Sequence, residues 1–484
     1  MQAAPSRRHV LGMLGVAGVA GALSPAHLFA AAQRAGRKHV LHIVVDDLRC
    51  SLGCYGDTHA ITPNLDKFAA GGTLFERAYV QQAVCAASRA SVLTGTRPST
   101  TGVDYPYNDA FIEDVVPQHP TFPTHFEREG AWSRMLGKIH HHRVREIEEV
   151  DAPPFNGHIE GRTWRDYSDL ANQAASRERT GPPWEAGNVE DDGYKDGRVT
   201  NEAIRLLAEY DRERPDQPLF MSVGYLKPHL PFNAPRKYFD LYDASALPDY
   251  REVAPNGAPD YAHVSYELRG DQYQGAVAAD DGRVDDDDAK NLTHAYYACV
   301  SYVDAQIGKL LQALEDSSIA DDTVVVLWGD HGFHLGEQQA WGKHMNYEMA
   351  TRVPFIWSGV GVPKGRRVDD VVELLDLYPT LCELAGTTPP AGLEGKSLVR
   401  LMRGRAEENG VAFSEYGRGR HTHGYAIRTD RWRYIEWVAT DTHEIRSRQL
   451  FDHASDAGDT VDVAQQYADV VADLSKRIAK QFGL

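Results

Sequence analysis

Three stretches of the chain are apolar at almost every position and then stop abruptly on titratable residues. "HVLHIVVDD" closes on Asp46 and Asp47, "DDTVVVLWGDHG" runs into Asp330 and His331, and "PLFMSVGYLKPH" ends at His229. Hydrophobicity that is continuous rather than alternating marks strands buried on both faces, as in a mainly parallel sheet. Between them, "VTNEAIRLLAEYDRE" and "NLTHAYYACVSYVDAQIGKLLQALED" repeat apolar residues at helical spacing. Strands alternating with helices predict an α/β fold, a mixed and mainly parallel sheet flanked by helices. In open sheets of this kind ligands bind beyond the carboxyl ends of the strands, where these polar residues would gather.

Two regions depart from that pattern. From about Ala258 to Lys290, around "AADDGRVDDDDAK", no apolar period survives, and the segment reads as a long solvated loop or insertion. Its spacing matches no carboxylate loop for calcium. From about residue 405 onward the chain turns β-rich and alternating in "GYAIRTDRWRYIEWV" and ends in the amphipathic "VVADLSKRIAKQF". Residues 405–484 are therefore expected to form a smaller C-terminal α+β subdomain beside a catalytic domain over 36–404.

The N-terminus has its own signature. Ser6-Arg7-Arg8 precedes an apolar, Gly/Ala-rich run from Val10 to Leu23, followed by Ala30-Ala31-Ala32. Paired arginines before a weakly hydrophobic segment and a small-residue cleavage site predict a twin-arginine-like export signal over 1–35. The expected location is periplasmic or secreted. No later stretch is long and apolar enough to predict a membrane anchor.

Composition narrows the class further. A chain of 484 residues with 42% hydrophobic and 10% aromatic content has the composition of a globular protein. Its formal net charge of −18 argues against nucleic acid as a partner, while leaving room for an anionic substrate in a local basic pocket. Five cysteines (Cys50, Cys54, Cys85, Cys299 and Cys382) are too few for a disulfide scaffold, and their odd number leaves at least one thiol unpaired. Cys50 and Cys54 are close enough in sequence to pair, although nothing requires it.

The chemistry-bearing residues recur at strand ends. Adjacent carboxylates at Asp46 and Asp47 would repel and desolvate each other, and a divalent cation with hard oxygen ligands relieves both penalties. Asp330-His331 repeats that chemistry after another buried strand. Fixed cations lie in "MLGKIHHHR" (Lys138), "WGKHMNYEMATRVPF" (Lys343) and four residues beyond Cys85 (Arg89). Each has a bland alternative as a surface or turn residue. Together they are the equipment for displacement at a tetrahedral oxyanion centre. Cys85 would face the same pocket, since Ala86, Ala87 and Ser88 allow a tight turn into a helix whose N-terminal N–H groups point there. Soft sulfur, however, suits neither attack on a sulfate ester nor a hard cation, so the site calls for an oxygen nucleophile.

Cys85-Ala86-Ala87-Ser88-Arg89, followed by "VLTG", resembles the signature of the type I sulfatases. The segments "VVDDLRCSLGCYGD", "GYLKPHLPF", "YYACVSYVDAQIGKLL", "GDHGFHLGE" and "ATRVPFIW" are similar, in order and spacing, to the iduronate-2-sulfatase branch of that family. The resemblance implies an alkaline-phosphatase-like fold and oxidation of Cys85 to formylglycine (3-oxoalanine), whose hydrated aldehyde supplies the oxygen nucleophile. It implies that Asp46, Asp47, Asp330, His331 and the modified Cys85 bind one Ca2+. His331 stands where many sulfatases carry asparagine but agrees with the iduronate-type pattern. Arg89 would steady the formylglycine hydroxyl, and Lys138 and Lys343 would hold sulfate oxygens. One hydroxyl would attack sulfur, with His229, aided by Lys343, protonating the leaving sugar alcohol. A histidine after Lys138 would deprotonate the second hydroxyl and release sulfate. The wider family's spacing makes that residue His140, and the iduronate-type spacing makes it His141.

The pentapeptide carries Ala87 where proline is usual. The resemblance therefore implies either a formylglycine-generating enzyme or a radical sulfatase-maturing enzyme as partner. The expected activity is an exported exo-sulfatase acting on a sulfated glycan, in the iduronate-type case at the 2-O-sulfate of a terminal uronate. Two alternatives stay open: a phosphate or phosphonate ester hydrolase of the same superfamily, and a catalytically dead sulfoglycan-binding protein.

Overall fold

The three apolar runs lie side by side in one sheet. The computed structural model describes residues 38–104, 118–141, 165–178, 180–214, 216–250, 254–255, 257–262, 267–268, 273, 284–405 and 410–484. The expected export signal over 1–35 lies outside the described residues.

The main sheet comprises β1 (His39–Val45), β2 (Thr73–Tyr79), β3 (Trp132–Gly137), β4 (Leu219–Tyr225), β5 (Thr323–Gly329), β6 (Arg352–Val353), β7 (Phe355–Gly359) and β8 (Arg366–Glu373). Their order is β6-β2-β7-β5-β1-β4-β3, with β8 pairing with β2. The central strands β3, β4, β1 and β5 are mutually parallel, and β7 runs antiparallel to both of its neighbours. The sheet is thus mixed and mainly parallel. Every residue of β4 and β5 is buried, which is what the unbroken apolar runs require.

The helices that matter to the site and the core are α1 (Pro63–Ala70), α2 (Cys85–Thr94), α3 (Phe122–Arg128), α4 (Lys195–Glu213), α5 (Asp286–Glu315), α6 (Leu377–Ala385) and α7 (Ala468–Phe482). One apolar core lies on the α4 and α5 side of the sheet, built from Ile43, Met221, Val303 and Leu327 among others. A second lies on the α2, α3 and α6 side, with Val44, Val92, Phe122, Trp328 and Leu381.

The described residues of the acidic insertion are less solvated than its sequence suggests. Glu267 is largely shielded, and Leu268 and Tyr273 are buried at 2% and 1% exposure. The run Asp285–Asp288 forms the start of α5, with the Asp285 carboxylate capping the N–H groups of Asp287 and Asp288. Three further acids in the first turn complement the positive end of that 30-residue helix.

The C-terminal region forms a four-stranded antiparallel sheet of β9 (Ala412–Arg418), β10 (Thr422–Arg428), β11 (Trp432–Ala439) and β12 (Ile445–Asp452), in that order. The alternation seen in sequence sorts its two faces. Ile427, Tyr434 and Leu450 meet Leu474 and Ile478 of α7, while Ala426, Ile435 and Phe451 join the core of the main sheet. All five cysteines are free thiols. No helix among the described residues is long and apolar enough to cross a membrane.

Candidate active site

Register places the strand ends at one level. Val45 pairs with both Tyr225 of β4 and Gly329 of β5, so Asp46 and Asp330 emerge together. The N–H of Asp46 donates to Tyr225 O and that of Asp330 to Val45 O, each at 3.1 Å, which carries the parallel ladder one residue past the strands. Lys138 follows β3 in the same way, its N–H on Gly224 O at 2.9 Å. That close approach needs glycine: a Cβ on Gly224 would fall 2.0 Å from Lys138 O.

The carboxylates converge. Ligand-capable atoms of Asp46, Cys85, Asp330 and His331 lie within 4.8 Å of one another, as do those of Asp46, Asp47, Cys85 and His229. Asp47 reaches the cluster from a left-handed backbone (φ 59°), strain of the kind that gathers at functional sites. Its N–H donates to Asp330 Oδ1 at 3.0 Å, and so does that of His331.

Cations surround these acids. Arg89, 1% exposed, sits beneath them with Nε 2.7 Å from Asp330 Oδ2 and Nη2 3.3 Å from Asp46 Oδ1. Its Nη1 also donates to the carbonyls of Lys138 and Ile139. Lys138 Nζ pairs with Asp46 Oδ2. Lys343 Nζ lies 2.8 Å from Asp47 Oδ1, 3.4 Å from Glu267 Oε1 and 3.4 Å from Cys85 Sγ. Cys85 opens α2, and His331 Nε2 stands 3.1 Å from its sulfur. The Ser88 hydroxyl donates to Asp330 O, tying the first turn of α2 to the end of β5.

Electrostatics separates the three acids. Burial works to raise Asp46, but Lys138, His229 and Arg89 outweigh it and hold that carboxyl well below the usual range. Burial drives Asp47 well above the range against the pull of Lys343, with Asp46 adding to the rise. Asp330 is pushed up to about 6, chiefly by burial, which Arg89 partly offsets. Burial, with Lys343 next, pushes both His229 and His331 well below the ordinary imidazole value. Burial and the neighbouring acid Asp46 push the Cys85 thiol up.

The donor set fits a divalent cation. It offers three buried carboxylates and an imidazole, and Asp47 Oδ2 is a buried oxygen with no hydrogen-bond partner among the described residues. A hard cation relieves an acceptor of that kind, and the oxygen-rich set suits calcium or magnesium over softer metals.

Of the sequence-predicted residues, Asp46, Asp47, Cys85, Arg89, Lys138, His229, Asp330, His331 and Lys343 come together at this cluster. Glu267, 3.4 Å from Lys343 Nζ, also lies at the cluster and was not singled out from sequence, nor were Lys227 and Asp196, which bond the turn that carries His229. His140 is buried, and burial, with the charge of Arg89 adding to it, pushes it down to about 3, while His141 is exposed. The quoted motif "YLKPHLPF" already contained Lys227, but only its tertiary surroundings show what it holds.

The architecture is an alkaline-phosphatase-like fold. The phosphonate monoester hydrolase SpPMH from Silicibacter pomeroyi shares the fold at a TM-score of 0.73 and 21% identity, covering 92% of this chain and 95% of that one. A structure described as a 2-O GAG sulfatase matches at 0.66 and 21% identity, covering 92% and 93%. The sequence profile of the sulfatase family matches residues 38–387, and that of the N-sulphoglucosamine sulphohydrolase C-terminal region matches 336–482. A sulfatase of Formosa agariphila is 31% identical, covering 89% of this chain and 84% of that protein. Human iduronate 2-sulfatase is 30% identical, covering 86% and 88%. The chain belongs to the sulfatase family and is a sulfuric ester hydrolase.

Proposed function

We propose that the protein is an exported exo-sulfatase that removes a 2-O-sulfate from a terminal uronate of a sulfated glycan. The observation that carries the reading is the position of Cys85, at the start of α2 with His331 Nε2 3.1 Å and Lys343 Nζ 3.4 Å from its sulfur, inside the carboxylate cluster. Relatives named iduronate 2-sulfatase support the substrate class. The acidic net charge of −18 favours a pocket for one terminal sugar over a groove gripping a long polyanion. The arginine pair and apolar run of residues 1–35 support export.

Asp46, Asp47, Asp330 and His331 would hold one calcium ion beside position 85. That ion and a formylglycine formed from Cys85 by a maturation enzyme supply an oxygen nucleophile and neutralise charge on the sulfate. The chain's own groups do the rest. Lys138 and Lys343 bind sulfate oxygens, and Arg89 fixes Asp46 and Asp330 from below. His229 and Lys343 stand where a proton can pass to the leaving alcohol, and the negative charge of bound sulfate favours the protonated imidazole there. His141, open to solvent, takes the proton in the second half of the reaction. His140 is buried, and burial with the charge of Arg89 holds it far below neutrality.

The mass of the tryptic peptide Ala78–Arg89, from protein expressed with each class of maturation enzyme, tests the nucleophile. Expected is a peptide lighter by conversion of the cysteine to formylglycine; an unmodified thiol would raise the sulfoglycan-binding alternative. Comparing an aryl sulfate with an aryl phosphate and a phosphonate separates the ester classes. Release of sulfate from oligosaccharides ending in a 2-O-sulfated uronate, against the same sulfate placed internally, tests the exo reading. Faster internal release would overturn it.

A further inference from the structure

Lys227 is a buried lysine, 2% exposed, for which the reaction outlined above has no use. It belongs to the turn that leaves β4 and carries His229 into the site. Its Nζ donates to the carbonyls of His229, at 2.7 Å, and Pro231, at 2.5 Å. Its backbone N–H and that of Leu226 donate to the two carboxylate oxygens of Asp196, at 2.8 and 2.9 Å. Asp196, 1% exposed, lies in the first turn of α4. The turn is thus held at its start by a carboxylate and across its middle by an ammonium. His229 donates from Nδ1 to Leu230 O at 2.5 Å, so chemistry at this ring falls to Nε2.

An ammonium buried this deeply costs free energy unless its donors are used, and an apolar side chain of similar length would fill the space without that cost. Ammonium and carboxylate both act on main-chain groups within five residues of one histidine. We propose that Lys227 and Asp196 are positioning residues that hold His229 at the angle needed to protonate the leaving oxygen. The inference rests on the assignment of His229 as proton donor in the proposed function.

Leaving-group dependence tests it in the matured, metal-loaded full-length protein. General-acid catalysis contributes roughly 10²–10⁴-fold to departure of a basic alcohol and little to that of an acidic phenol. The probes are aryl sulfates running from an acidic nitrophenyl ester to plain phenyl sulfate. Wild-type kcat should vary little along the series, and His229→Ala should fall steeply toward phenyl sulfate. Lys227→Met and Asp196→Asn should reproduce the His229→Ala slope while retaining turnover of the nitrophenyl ester within about tenfold. The double variant Lys227→Met/His229→Ala should be no slower on phenyl sulfate than His229→Ala alone.

Lys227→Gln, which keeps amide donors for the two carbonyls, should recover part of the loss and serves if Lys227→Met does not fold. Loss by one common factor across the series would mean that the pair merely stabilises the fold, and would overturn the positioning role. Wild-type hydrolysis with no leaving-group contrast in His229→Ala would instead remove the donor assignment, and the inference with it.

Discussion

The ammonium of Lys343 lies 3.4 Å from the sulfur of Cys85 while ion-paired with Asp47 at 2.8 Å. One cation therefore touches both the nucleophile position and a proposed metal ligand. Replacing it with methionine removes a fixed positive charge from the place where sulfate charge would develop. Such preorganised groups are worth on the order of 10²–10³ in kcat. Lys343→Met should lower kcat by about that factor, and a melting curve with calcium present should show the fold intact. Unchanged kcat would place Lys343 outside the reaction.

Cys85 gives a cleaner test, because the proposed nucleophile can form only from its side chain. Cys85→Ala should leave no measurable sulfate release, whatever the maturation enzyme, since alanine has nothing to oxidise. The substitution removes one small buried atom group, at a cost of about 1 kcal/mol. Melting temperature in calcium should therefore fall by only a few degrees. A variant that still turned over a sulfate ester would show that catalysis does not pass through residue 85.

Cation binding should be visible without any assay of turnover. The buried oxygen Asp47 Oδ2 has no hydrogen-bond partner among the described residues, and burial holds Asp330 up at about 6. Calcium at a hundredfold excess over its Kd would stabilise the folded state by about 2.7 kcal/mol. Thermal melts across a calcium titration of chelator-treated protein should show that rise. Asp330→Asn should abolish it, because one charged ligand is gone and Arg89 loses its 2.7 Å partner. A calcium-independent melting curve for the wild type would refute the metal assignment.

How far the chain could be read before folding depends on the range of each interaction. The runs that became β1, β4 and β5 are local signals, since a strand buried on both faces has to be apolar throughout. Their polar ends then mark the site, and Asp46, Asp330 and His229 were accessible on that ground. Glu267 was not, because it lies in a stretch whose composition reads as solvated and reaches Lys343 only through tertiary packing. The acids at Asp285–Asp288 did carry a local signal, that of a helix start, which the density of charge concealed. The choice between His140 and His141 turns on a one-residue offset, and only burial separates the two rings.

A final prediction concerns the seam between the C-terminal sheet and the segment leading to Cys85. His423 on β10 is buried, its Nε2 3.1 Å from Glu415 Oε2 on β9 and its Nδ1 3.9 Å from Asp104 Oδ2. Asp104 in turn accepts from Gln82 Nε2 at 2.7 Å, three residues before Cys85. The Tyr425 ring covers the imidazole at 4.6 Å between centroids. Burial alone would lower the His423 pKa, but the hydrogen bond and charge of Glu415, with Asp104, outweigh it and leave the value raised. A histidine raised on folding binds its proton more tightly in the native state. Its contribution is complete below the unfolded value of about 6.5 and is lost as pH climbs through the higher folded value. The gap in melting temperature between wild type and His423→Gln should therefore be widest near pH 5–6 and should shrink on the alkaline side of neutrality. A gap that stays constant or widens with rising pH would show that the imidazole is neutral in the fold, and that Glu415 and Asp104 are held by other means.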